Sequence, residues 1–302
     1  MHRLKKIALK ALSYPVIDLK KNYKMKRRVV NALHPYFKPL YKLMDHKIML
    51  DSREIPVRVF QPDRYEALKV LIFFHGGGWV TGNIDSYTAI CANMANETKH
   101  TVISVDYLLA PENPFPQGVE DCYHVTREIF MNKILDCKTG DITLIGDSAG
   151  GNIAAVVSLM ARDRGEFLPA RQILLYPLTY NDHSENSPFP SVRENGTDYI
   201  LTSKDIQDYM ALYVQDEKYR TSPYVAPLLS EDLSNQPKTL IITAEYDPLR
   251  DEGEAYGKRL SEFGNSVTTV RMKDAVHGFI SLPKKSEYII KCYEIMNRFL
   301  SE

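Results

Sequence analysis

Residues 146 to 150 read Gly146-Asp147-Ser148-Ala149-Gly150, a GxSxG pattern. It follows the apolar run Ile142 to Ile145 and opens a helical stretch that ends near Arg164. A strand, tight turn and helix in that order present a serine hydroxyl as a nucleophile at the strand's carboxyl end. Such a turn holds the serine in a strained conformation, and glycines two residues to either side relieve the crowding. The competing use of Ser148 is a simple helix N-cap, the commoner role of serine at a helix start. A second cluster bears on that choice. His75-Gly76-Gly77-Gly78-Trp79 follows the apolar run Val70 to Phe74, so that with Gly151 six of the 15 glycines fall in or beside these two places. Successive glycines let bare amide N-H groups converge on one oxygen, as a tetrahedral intermediate of acyl transfer requires. Gly77, Gly78 and Ala149 are the candidate donors. A phosphate-cradling loop is the alternative, but neither GxxxxGK[ST] nor GxGxxG occurs.

A serine nucleophile needs a base, and the base needs an orienting acid. After Ser148 the chain has two histidines, His183 and His277. His277 follows the strand-like run Val267 to Met272 and precedes Gly278-Phe279, a loop position from which an imidazole can reach across a sheet. His183 sits in an irregular stretch. For the acid, Asp247 comes just past the apolar run Leu240 to Thr243, with Glu245 and Asp251 as rivals. Asp247 could equally cap the helix that Pro248 and Leu249 introduce.

These residues need elements to hold them. Short, almost wholly apolar runs at Val70 to Phe74, Val102 to Tyr107, Ile142 to Ile145, Ile173 to Tyr176, Leu240 to Thr243 and Val267 to Met272 suit strands buried on both faces. Helix-length stretches alternate with them: Ser86 to Thr98, Val119 to Met131, Ser148 to Arg164, Arg250 to Phe263 and Lys284 to Phe299. That alternation predicts an α/β fold with a mostly parallel central sheet and helices on both faces. Lys47 to Phe60 predicts a hairpin that opens the sheet. Tyr180 to Pro227 breaks the rhythm and reads as a cap insertion, with one helix at Ser203 to Val214 capped by Thr202 and Ser203.

The first 43 residues hold twelve Lys or Arg against one acid, Asp18. Leu4, Ile7, Ala8, Ala11 and Leu12 recur at helical spacing among lysines, as in an amphipathic helix. Packing of its apolar face on the protein itself is the favoured expectation, with contact to an anionic membrane surface as the rival.

Composition narrows the class further. With 44% hydrophobic and 25% charged residues the chain is expected to fold, and Lys plus Arg equals Asp plus Glu at 38 each. No whole-chain positive field favours nucleic acid. Four dispersed cysteines form neither a CxxC pair nor a zinc pattern. The run Val29 to Phe37 is far short of the roughly 20 apolar residues of a membrane span, and no signal-peptide core is evident. A cytoplasmic location is the expectation.

Together His75 to Trp79, Tyr107 to Pro116, Gly146 to Gly151, Asp247 to Gly253 and His277 to Phe279 resemble the hormone-sensitive-lipase-like (bacterial family IV) esterases of the α/β-hydrolase superfamily. The resemblance implies an α/β-hydrolase fold with a helical cap, divided into N-terminal cap helices over residues 1 to 43 and an α/β-hydrolase domain over 44 to 302 with a cap insertion at about 180 to 227, and a Ser148, Asp247 and His277 triad. It also implies an oxyanion hole at Gly77, Gly78 and Ala149, with no metal or organic cofactor. A homodimer is an expectation by family analogy alone. One departure is Leu108, where the family usually has arginine in a structural role.

The resulting reading is a carboxylic-ester hydrolase acting through an acyl-enzyme on short to medium acyl esters, small molecules that an aromatic cap could bind. Tyr180, Phe189, Tyr199, Tyr209 and Tyr213 are the cap aromatics, with ordinary packing as their alternative use, and Trp79 either shapes the pocket or is a buried anchor. The same triad would serve an amidase, peptidase or deacetylase, and a catalytically silent receptor on this scaffold is the reading from another class.

Overall fold

The computed structural model describes residues 19–33, 44–50, 53–64, 68–131, 135 and 137–302. The amphipathic segment Leu4 to Leu12 and the turn Asp51-Ser52 lie outside them. In chain order the strands are β1 (Asp45–Leu50), β2 (Arg53–Phe60), β3 (Val70–Phe74), β4 (Thr101–Val105), β5 (Ile142–Asp147), β6 (Arg171–Leu175), β7 (Lys238–Tyr246) and β8 (Val267–Val276). The helices are α1 (Leu19–Leu33), α2 (Thr88–Thr98), α3 (Gln117–Phe130), α4 (Ala149–Arg164), α5 (Pro190–Asn195), α6 (Ser203–Tyr213), α7 (Arg250–Glu262) and α8 (Glu287–Ser301).

One eight-stranded sheet runs in the order β1-β2-β4-β3-β5-β6-β7-β8. The β1–β2 and β2–β4 pairs are antiparallel and all other pairs are parallel. The mostly parallel sheet expected from the buried apolar runs is therefore present, and so is the opening hairpin.

Strand residues alternate between two cores. Ile72, Phe74, Leu144, Leu174 and Ile241 face α3, α4 and α7, whereas Leu71, Phe73, Ile145, Ile173 and Ile242 face α2 and α8. Helix α4 is buried along its length from Ala149 to Ala161, which explains its mostly apolar side chains, while buried Asn152 and Ser158 hydrogen-bond the Leu178 and Val225 carbonyls and Gln236.

This winding matters for the site because the parallel strands all end on one edge. The residue just past β3 is His75, past β5 Ser148, past β6 Tyr176, past β7 Asp247 and past β8 His277. Register keeps these ends level, with Phe74 opposite Gly146 and Asp147 opposite Leu175. Ligand sites in open α/β sheets form along this edge.

Above that edge lie α6 and α1. Thr202 caps α6 through a capping box with Asp205, as its sequence predicts. Helix α1 is fastened by Arg27, which donates to the Val80 and Ala110 carbonyls and forks onto Glu112, while Leu19 is fully buried.

Candidate active site

Ser148 occupies the position before α4 with φ 54° and ψ −118°, a left-handed backbone that L side chains rarely adopt. Its hydroxyl makes no cap hydrogen bond. Instead Oγ lies 2.8 Å from His277 Nε2. The flanking glycines are required sterically: a Cβ on Gly146 would come within 2.1 Å of the Gly150 carbonyl oxygen, and one on Gly150 within 1.9 Å of the Phe74 oxygen. The turn is closed on the other side by the Ser148 amide, which donates to the Leu175 carbonyl at 2.9 Å.

His277 Nδ1 lies 2.7 Å from Asp247 Oδ2. An ionised carboxylate can only accept, so the proton belongs on Nδ1 and Nε2 is left as the acceptor facing Ser148. Asp247 is fully buried, and its other oxygen accepts the Leu249 amide at 2.9 Å. The carboxylate thus does both things the sequence offered, holding the turn into α7 and the imidazole. The edge of the Tyr176 ring packs on His277 with centroids 4.8 Å apart.

The rivals are engaged elsewhere. His183 is buried 2.7 Å from Glu252, which also accepts the Thr179 and Tyr180 amides. Glu245 accepts the Asp274 amide at 2.7 Å, and Asp251 accepts the Ser191 amide at 2.7 Å.

Gly77 and Gly78 take φ values of 111° and 62°, and with Ala149 they line the cavity that holds Ser148. The Thr81 amide and hydroxyl both donate to the Gly77 carbonyl, each at 2.9 Å, which fixes the glycine loop from behind its peptide oxygen. A residue not foreseen as functional, Asp147, ties this loop to the elbow. Its Oδ1 accepts the Gly76 amide at 2.8 Å, and its Oδ2 accepts from the Tyr87 and Tyr176 hydroxyls at 3.1 and 3.3 Å. Burial pushes the Asp147 carboxyl up to about 6, the backbone and tyrosine donors opposing it only in part. Burial likewise lowers His75, stacked 4.3 Å from Tyr107, to about 4. The signal for Asp147 was an acid closing an otherwise apolar strand.

The cavity above Ser148 has a volume of about 220 Å³. Trp79, Leu178, Leu201, Ile206, Tyr209 and Leu249 form most of its apolar wall, and Lys26 of α1 and Asp205 of α6 add charge. Of the five cap aromatics only Tyr209 lines it. Tyr180 packs edge-on against Phe189 and Tyr199 against Tyr246, whereas Tyr213 stacks on Trp79 at 4.3 Å. Trp79 is both a buried anchor and part of the wall.

A family model described as an alpha/beta hydrolase fold matches residues 71–281, a span that contains Gly77, Gly78, Ser148, Ala149, Asp247 and His277. The chain belongs to the hormone-sensitive-lipase-like family of α/β-hydrolases. It is 38% identical over 253 residues to an arylesterase of Saccharolobus solfataricus, covering 83% of this chain and 81% of that protein. It is 36% identical over 253 residues to the carboxylesterase NlhH of Mycobacterium tuberculosis, covering 82% and 78%. A solved hyperthermophilic esterase from Pyrobaculum calidifontis superposes with a TM-score of 0.85 at 34% identity, over 99% of this chain and 97% of that one.

Buried Asp121 accepts the Leu108 amide at 3.1 Å and pairs with Arg53 from β2. Among the described residues no helix is long and apolar enough to cross a membrane, and no group of three or more His, Cys, Asp or Glu could hold a metal ion.

Proposed function

We propose that this family member is a carboxylic-ester hydrolase that acts on short to medium acyl esters through an acyl-enzyme on Ser148. The observation that carries the proposal is the unbroken relay from Ser148 Oγ to His277 at 2.8 Å and from His277 to Asp247 at 2.7 Å. His277 accepts the hydroxyl proton as Oγ attacks the ester carbonyl, and Asp247 stabilises the imidazolium that forms. The amides of Gly77, Gly78 and Ala149 receive the charge that develops on the carbonyl oxygen. His277 then protonates the departing alcohol, and water repeats the sequence to release the acid.

In this reading α1 and the insertion at about 180 to 227 form the cap. The acyl-length preference is supported by the size of the cavity, about 220 Å³, which is below the roughly 300 Å³ where ligand pockets usually begin. Hydrolysis of 4-nitrophenyl esters from acetate to palmitate tests the proposal. The parent is expected to peak at a short or medium chain, and Ser148→Ala to lose activity by about 10⁴-fold or more. A folded parent that cleaves none of the series, or a Ser148→Ala variant that matches it, would sink the proposal.

A further inference from the structure

Lys26 is out of place in a pocket for simple apolar esters. It is contributed by α1, its side chain is 28% exposed, and it shares the cavity wall with Ser148, His277 and the glycine loop. Apart from His277 it is the only basic side chain among the described residues that line that cavity. Its neighbour Arg27 is saturated by Glu112 and two backbone carbonyls. Lys26 is not. Its carboxylate partner, Asp205 Oδ1, is 3.6 Å away, beyond the 2.7–2.9 Å or so of a charge-assisted hydrogen bond. The other Asp205 oxygen already accepts the Thr202 hydroxyl at 2.8 Å in the capping box. The ammonium also lies 5.1 Å above the Tyr209 ring, a contact that stabilises a cation.

A part-buried ammonium whose nearest carboxylate stands beyond ordinary hydrogen-bond distance can take a further anionic partner. The cavity is where that partner can arrive. The setting is also favourable at longer range, because α1 carries Lys20, Lys21, Lys24, Lys26, Arg27 and Arg28 and no acid. A basic helix beside an opening raises the local concentration of anions and steers them inward.

We propose that Lys26 is the recognition point for an anionic group on the substrate, so that the site prefers esters bearing a carboxylate remote from the scissile bond. The inference rests on the esterase reading and adds the substrate class to it. Seated with its carbonyl carbon at Ser148 Oγ and its carbonyl oxygen toward Gly77 and Gly78, such an ester directs its carboxylate to Lys26. Asp205 then competes with the substrate for the same ammonium.

Two matched pairs of probes test this on the full chain. The mono-4-nitrophenyl ester of glutaric acid is compared with 4-nitrophenyl pentanoate, and 4-acetoxybenzoate with its neutral methyl ester, so that the carboxylate lies on the acyl side in one pair and the alcohol side in the other. At low salt at least one anionic probe is expected to have a kcat/KM about fivefold or more above its neutral partner, with the ratio falling as NaCl is added. Lys26→Met should cut that ratio by about fivefold or more, mainly through the KM of the anionic probe, and Lys26→Arg should keep it. Asp205→Asn should raise it, a change of opposite sign that a merely structural lysine would not produce. Ratios near one for both pairs, or a ratio that Lys26→Met leaves intact, would overturn the inference while leaving the esterase reading in place. A folded parent that cleaves neither neutral nor anionic probes would remove both. If Lys26→Met does not fold, the parent's salt series and the Arg and Asn variants give the same decision.

Discussion

At the scale of single residues, the account turns on how burial and hydrogen bonds fix the state of each group. Asp247 is fully buried and holds the proton of His277 on Nδ1. Asp247→Asn should therefore leave the fold intact but lower kcat by about 10⁴-fold, since an amide can present an N-H and favour the wrong tautomer; stopped-flow ester hydrolysis with circular dichroism checks both parts. Asp147 and His75 make a second prediction. The folded Asp147 carboxyl is raised from its ordinary value of 3.8 to about 6, so the stability it contributes is present in acid and lost as pH rises through about 6. His75 is lowered from 6.5 to about 4, so its contribution is present above 6.5 and lost as pH falls toward 4. Over about pH 4 to 6 the two slopes oppose each other. Asp147→Asn keeps an acceptor for the Gly76 amide and removes one slope. The melting temperature of that variant, relative to the parent, should rise from pH 4.5 to pH 8, and a difference that stays flat or falls would contradict the assignment.

At the scale of elements, the site is the set of positions just past the parallel strands, and the turns there tolerate few changes. Gly150→Ala would drive a methyl group to 1.9 Å from the Phe74 oxygen, a backbone atom that cannot move without shifting β3. A loss of about 3 kcal/mol or more in urea unfolding is expected, with near-parent stability as the contrary result. The same geometry explains what could be read from the chain. Strands β3 and β5 were legible because every residue in them is buried, which makes periodicity unnecessary. Strands β7 and β8 run past their apolar cores to Tyr246 and Val276, where half-exposed polar residues carry no strand signal. Helix α5 went unseen because Pro190–Asn195 is six residues in a stretch rich in Ser, Asn and Pro. Ser148 was legible from its GxSxG turn after an apolar run, and Asp247 and His277 as an acid and an imidazole a few residues beyond the runs Leu240 to Thr243 and Val267 to Met272. Lys26 and Asp205 were not readable, since their meeting with Tyr209, one of the five cap aromatics, depends on how two helices pack across the mouth of the cavity.

At the scale of the molecule, α1 is joined to the rest of the protein by polar contacts as well as by buried Leu19. Arg27 joins α1 to the body through Glu112 and the Ala110 and Val80 carbonyls, and the guanidinium holds the Glu112 carboxyl below its ordinary value. Arg27→Ala is expected to speed amide exchange across residues 19–33 by about tenfold while the sheet is unaffected, and to raise KM as the cavity wall loosens. Unchanged exchange would show that other contacts fasten the helix. The claim on which the whole account depends is that Ser148 carries the acyl group. It is tested most directly by mixing the protein with paraoxon, or with a slowly hydrolysed 4-nitrophenyl ester, and locating the adduct by intact and peptide mass spectrometry. The account predicts one adduct per chain, on Ser148, at a rate that falls steeply in His277→Ala. An adduct on any other residue, or hydrolysis that continues with Ser148 unmodified, would contradict it.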